Sequence, residues 1–242
     1  MTTAVATTSR RDVLTSILIE VEKREPEMMA LAPKGYDAQM FYAALKLYVA
    51  NNGAILECRP LSVATAMLRV AQTGLELGVS CDILPFKGAA MFSPRYNGLI
   101  ELAHSAGVRG INHGVVRDGD LFEYQLGSEA FLKHVPLRGN KGEITHAWAC
   151  ARIGVTGMQI EVMDREEVEA LKTTYSKQWK TTPLDEIPWY ARKTVIRRLC
   201  KYLPKNARFA AALRYDAAPL DEPEFEIEQG QQVEGEATGP VG

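Results

Sequence analysis

ILPFKGAAMF, residues 83–92, is where the chain stops reading as helix and begins to read as sheet. Ile83–Phe86 and Ala89–Phe92 are short apolar runs on either side of Lys87-Gly88, a dipeptide suited to a two-residue turn, so the segment predicts a β-hairpin. Upstream, the apolar spacing is helical. Val13, Leu14, Ile17, Leu18 and Val21 define a helix over 11–29, and a second is expected over Asp37–Asn51, closed by Asn51, Asn52 and Gly53. Ser62 is read as the cap of a third, which carries Val63, Met67, Val70 and Ala71 and stops at Gly74. Downstream, Tyr96–Ser105 reads as helix, whereas Ile111–Arg117, Leu121–Leu126, Ile144–Val155 and Met158–Met163 read as strands between glycine-containing turns. Asp164 with Glu167 forms a capping box for a helix to Tyr175; a Pro- and Thr-rich loop follows, and a last helix runs to Leu203, before Pro204. The predicted class is α+β: N-terminal helices, a central antiparallel sheet with hairpins, and C-terminal basic helices.

The 242 residues are 46% hydrophobic and 24% charged, an ordinary globular composition. We expect one domain over 11–215, between a low-complexity, disordered start (1–10) and an acidic, disordered tail (216–242). The formal charge of −2 hides this division. Residues 221–242 hold seven acids and no base, which leaves residues 1–220 at +5. Cys58, Cys81, Cys150 and Cys200 lie far apart with no CxxC, so reduced core cysteines are expected rather than disulfides or a zinc site. No apolar run approaches the ~18 residues of a membrane span, and the Thr-rich start lacks the apolar centre of a signal peptide, so a cytoplasmic location is expected.

Charge concentrates where the chain ends its ordered part. Between Ile187 and Tyr215 there are eight lysines and arginines and no acid. At about 100° per residue, Trp189, Ile196, Leu199, Cys200 and Leu203 share one face, and Lys193, Arg197, Lys201 and Lys205 recur every fourth residue on another. The first face is expected to pack and the second to track a polyanion. Arg198 lies beyond the stripe. Arg192 falls inside the apolar face, where it would need a buried carboxylate or a bound phosphate. Solvated helices ordinarily mix both signs, which sets this one apart from a merely soluble surface.

Several chemistries lack their motifs. There is no GK[ST] phosphate cradle, no GxSxG, no HExxH, and no lysine with an acid two residues before it, as metal-dependent nucleases often have. His146 and Cys150, four apart on a strand, are too distant to chelate one ion. GVRG (107–110) and GNKG (139–142) are either simple turns or backbone cradles for phosphate. Phe92, Arg95 and Tyr96 cluster after the hairpin, and Trp179 lies between Lys177 and Lys180. Aromatic interleaved with basic is how unpaired nucleic-acid strands are held, since every base offers a face to stack.

At these residues the chain resembles the RecT family of phage single-strand annealing proteins, over roughly Pro33 to Asn206. The likeness rests on CRPLSVATAMLRVAQTGLELG (58–78), MFSPRYNGLIELAHSAG (91–107), VVRDGDLFEY (115–124) and KTVIRRLCKYLPKN (193–206). It implies an α+β core assembled side by side into rings or helical filaments, with DNA along a basic groove. It also implies annealing of complementary strands without ATP or any other cofactor, beside a phage exonuclease and a host single-strand binding protein. By position, Arg95, Tyr96, Asn97 and Gly98 occupy the family's Gly-Tyr-Lys-Gly segment, with Asn97 where lysine is usual and Arg95 able to supply the charge. Arg192 to Lys205 occupy its basic helix.

The expected activity is therefore binding of single-stranded DNA and its conversion to annealed duplex by a homo-oligomer, with no catalytic residue. Lys193, Arg197, Arg198, Lys201 and Lys205, with Arg192 and Lys177, would neutralise phosphates; Phe92 and Tyr96 would hold bases. The rival readings are a DNA-processing enzyme such as a nuclease with an unrecognised acid cluster, and a structural protein that binds nucleic acid nonspecifically.

Overall fold

Ser9 and Asp12 open the first helix by capping each other. The Ser9 hydroxyl accepts from the Asp12 amide (3.2 Å) while the Asp12 carboxylate accepts from the Ser9 amide (3.2 Å), which starts α1 (Arg10–Glu22). In this computed structural model, residues 9–154, 157–176 and 179–216 are described. Ser9 and Arg10, expected in a disordered start, are thus the cap and the first residue of α1. The helix expected over 11–29 is two, because Pro26 has no amide to donate and opens a new helix, α2 (Glu25–Leu31). α3 (Ala38–Asn51) begins on Asp37, whose carboxylate accepts from the Met40 amide (2.9 Å). α4 (Pro60–Thr73) starts at Pro60, two residues before the expected cap. Ser62 instead joins α4 to the hairpin, because its hydroxyl donates to the Arg59 carbonyl (2.7 Å) and accepts from the Ala90 amide (2.9 Å). Gly74 closes α4 at φ +64°, as its sequence position predicts.

The hairpin consists of β1 (Cys81–Phe86) and β2 (Ala89–Pro94), with Phe86 opposite Ala89 and left-handed Lys87 (φ +46°) and Gly88 (φ +77°) at the turn. After α5 (Tyr96–Ser105) come β3 (Arg109–Arg117), β4 (Leu121–Gln125), β5 (Phe131–Val135), β6 (Ile144–Ile153) and β7 (Gly157–Asp164). The strands form three antiparallel sheets, β1-β2, β3-β6-β7 and β4-β5, rather than one central sheet. Two interruptions separate them: α5 lies between β2 and β3, and the β4-β5 hairpin is inserted between the paired strands β3 and β6.

α6 (Arg165–Tyr175) starts on Asp164, which accepts from the Glu167 amide (2.7 Å). α7 (Pro188–Cys200) and α8 (Ala207–Asp216) complete the described elements. On β6, Ala147, Ala149 and Ala151 are buried in alternation, with Ile144 buried ahead of a register shift, and the small alanines let α7 lie close against the β3-β6-β7 sheet. α4 is the centre of the other half, in contact with α1, α2, α8 and β2. One continuous set of buried side chains runs from Ile17 on α1 through α4, the sheets and α7 to Ala212 on α8. Cys58, Cys81 and Cys200 are buried within it as free thiols, and burial pushes the Cys81 and Cys200 thiols up to about 12. No helix among the described residues is long and apolar enough to cross a membrane.

Candidate nucleic-acid interface

The corner between β2 and α5 is held by backbone and side chain together. The Arg95 amide donates to the Ser80 carbonyl (3.0 Å), and its guanidinium grips Asp82 on β1 through two contacts of 2.7 Å each. That hydrogen-bonded pairing raises the Arg95 pKa. Asn97 donates from Nδ2 to the Val79 carbonyl (3.1 Å). Gly98 sits in the first turn of α5, pressed so closely on the Ser80 carbonyl that a Cβ would collide with it. Tyr96, between them, is half-buried and meets the His113 ring of β3 edge-on at 6.2 Å.

α7 supplies the opposite wall. Ile196, Leu199, Cys200 and Leu203 are buried as expected, and Tyr190, Ala191 and Val195 widen the packing face. Trp189 is left 40% exposed. Arg192 is exposed as well, which removes the expected need for a buried carboxylate or phosphate partner. Between the β2-α5 corner and α7 lies a cleft of about 410 Å³, with Asp82, Leu84, Ser93, Pro94, Arg95, Tyr96 and Asn97 on one side and Trp189, Lys193 and Arg197 on the other. Three bases face one acid there, and that acid is already engaged by Arg95.

Inside the cleft, Lys193 is partly desolvated: burial and the neighbouring Arg197 lower its pKa, against the pull of Asp216. Its Nζ lies 5.4 Å from the Tyr190 ring centre. Arg197 donates to the Pro94 carbonyl (3.0 Å) and pairs with Asp216 Oδ1 (2.7 Å), while its Nε is buried without a partner. Asp216 is the last residue of α8, not the first of the tail; burial raises its pKa, and Arg197, Lys193 and Lys201 oppose the rise.

Five of the expected site residues thus meet in one cleft: Arg95, Tyr96, Asn97, Lys193 and Arg197. The others are dispersed. Phe92 is 3% exposed and packs edge-on against Tyr215, a core position from which its ring cannot reach a base. Arg198 is answered by Glu161 and Glu167, each at 3.0 Å. Lys201, exposed, follows the last turn of α7; Lys205 lies beyond the helix and donates to the Lys201 (2.7 Å) and Leu203 (3.0 Å) carbonyls, so the four-residue stripe ends at Lys201. Lys177 lies outside the described residues. GNKG is a turn, with Asn140 donating to Asp118 O and Asp120 Oδ1 and accepting from the Gly142 amide. Sequence reasoning missed Trp189 and Asp216 as parts of the site. The four-residue step from Trp189 to Lys193 was the available signal for the first; nothing local marks the second.

An α+β chain with a cleft lined by cations and aromatics is built as a nucleic-acid-binding protein. The sequence model of the RecT family matches residues 39–232, and the chain belongs to that family, whose members bind DNA and anneal single strands in recombination. It is 29% identical over 226 residues to Protein RecT of Escherichia coli (strain K12), a similarity covering 88% of this chain and 83% of that one.

Proposed function

We propose that single-stranded DNA enters the cleft between α5 and α7, and that the chain anneals complementary strands without hydrolysing a nucleotide or making a covalent bond. The observation that carries this reading is the convergence of Arg95, Tyr96 and Asn97 with Lys193 and Arg197, segments about 100 residues apart in sequence, on one cleft. Annealing asks for neutralised phosphates and for bases held where a second strand can test them. Lys193, Arg197 and Arg95 provide the charge inside the cleft, and the exposed Arg192 and Lys201 extend it outside. Arg95 and Arg197 are paired with Asp82 and Asp216, as Arg198 is with Glu161 and Glu167, so Lys193 is the cleft cation with no carboxylate in contact among the described residues, and Tyr96 offers an aromatic face. Residues 9–216 act as one unit, and copies side by side in rings or helical filaments carry the track from one chain to the next. A phage exonuclease that exposes the strand and a host single-strand binding protein that covers it are the expected partners.

Mixing labelled complementary strands with the protein, in the absence of nucleotide and metal, tests this directly. Duplex formation should accelerate and strand lengths should stay unchanged. A requirement for ATP, or shortened strands, would refute it.

A further inference from the structure

Tryptophan has more apolar surface to remove from water than other side chains, yet Trp189 leaves 40% of its surface open on the wall of the cleft. It is rigidly presented all the same. It is the second residue of α7, behind Pro188 at the helix start, and Trp179 braces it edge-on with ring centres 5.4 Å apart and planes at 84°. Tyr190, next in sequence and buried, touches it at 5.9 Å. One turn along α7, the Lys193 ammonium lies 5.9 Å from the Trp189 ring centre and also lines the cleft. An exposed, braced aromatic beside a partly desolvated cation matches the two halves of a nucleotide, a flat base and a charged phosphate.

We infer that Trp189 is a base-stacking platform of the cleft, one base resting on its ring while the adjoining phosphate meets Lys193. The inference rests on the reading that DNA occupies this cleft, and it assigns base contact to a residue whose helical-wheel position had suggested packing. A braced ring loses little conformational entropy when a base lands on it, which makes Trp189 a better platform than a mobile surface aromatic.

The test compares an oligo(dT) strand with an abasic strand of the same length and the same phosphates. Trp189→Ala should weaken oligo(dT) binding roughly 5- to 150-fold, the range expected for loss of one stacked base, and leave abasic binding unchanged. Trp189→Phe should retain most of the affinity. Lys193→Glu should weaken both strands, which separates the two readings. If Lys193→Glu weakens both while Trp189→Ala weakens neither, or weakens both equally, stacking is refuted and the cleft stands; if Lys193→Glu weakens neither, DNA lies elsewhere and both fail. Should Trp189→Ala not fold, the unsubstituted protein serves. The part of its tryptophan emission that is absent from Trp189→Phe should be quenched by oligo(dT) and not by the abasic strand, and equal quenching of that part by both would overturn the inference.

Discussion

Arg198, in the last turn of α7, and Lys201, just past its end, carry the same charge, and their surroundings give them different values to a polyanion. Lys201 is exposed, whereas Arg198 already has two carboxylates at 3.0 Å. Lys201→Ala should weaken single-strand binding for every sequence and reduce the salt slope by about 0.7, one phosphate contact on a single strand. Arg198→Ala should change the slope much less; salt titrations of both variants decide it. Tyr96→Ala should cost about 1 to 3 kcal/mol of binding if its ring holds a base, and Tyr96→Phe should be nearly neutral. Equal losses in the two folded variants would instead point to the hydroxyl. Gly98 is needed for space rather than for backbone conformation. Gly98→Ala should force α5 away from Ser80, costing roughly 1 to 3 kcal/mol in denaturant unfolding, as overpacked sites do, and weakening binding by displacing Arg95 and Tyr96.

At the scale of elements, α7 depends on the short turn before it. Asp185 accepts from the Ile144 amide at the start of β6 (2.6 Å) and holds Arg165 through contacts of 2.9 and 3.2 Å. Arg165 keeps its carboxyl below the usual value, helped by the Ile144 amide and Arg117. A carboxyl lowered on folding stabilises the protein above its ordinary range near pH 4 and loses that contribution as pH falls through the lower folded value. Asp185→Asn should therefore cost roughly 1 to 2 kcal/mol at neutral pH and lose less than the unsubstituted chain on acidification; parallel acid-unfolding curves would count against this. Elements punctuated by local chemistry were legible in the sequence. Lys87-Gly88 marked its hairpin, Gly74 its helix end, and Tyr96–Ser105 matched α5. β5 was not legible, because its residues alternate between exposed and half-buried and include Lys133 and His134, which gives little apolar signal. Trp189 and the Arg197–Asp216 pair were hidden for another reason. On the wheel of α7 Trp189 falls between Ile196 and Cys200, both buried, and it is its place in the first turn, at the cleft, that leaves it open. Asp216 meets Arg197 only once α8 has folded back.

For the whole molecule, the acid-free run from Ile187 to Tyr215 ends one residue before the acid that closes on it. That clasp is partly buried, so Arg197→Ala would leave Asp216 without its cation, whereas the seven acids at 221–242 are added to a body of +5. Removing residues 221–242 should raise single-strand affinity, most at low salt, where screening lengths are longest. Binding curves for the truncated and full chains that superimpose from low to physiological salt would reject competition by this segment. The geometry of α8 makes such competition a question of tethering. Asp216 touches a residue that lines the cleft, and Asp221 is five residues further on, within about 18 Å of chain. Chain connectivity alone caps the distance from Asp216 to Asp221, so a competing acid on this segment would act at an effective concentration that dilution cannot lower. If the segment competes, a strand in free solution must displace a ligand that is always present, and long strands spanning many copies should prevail where short ones do not.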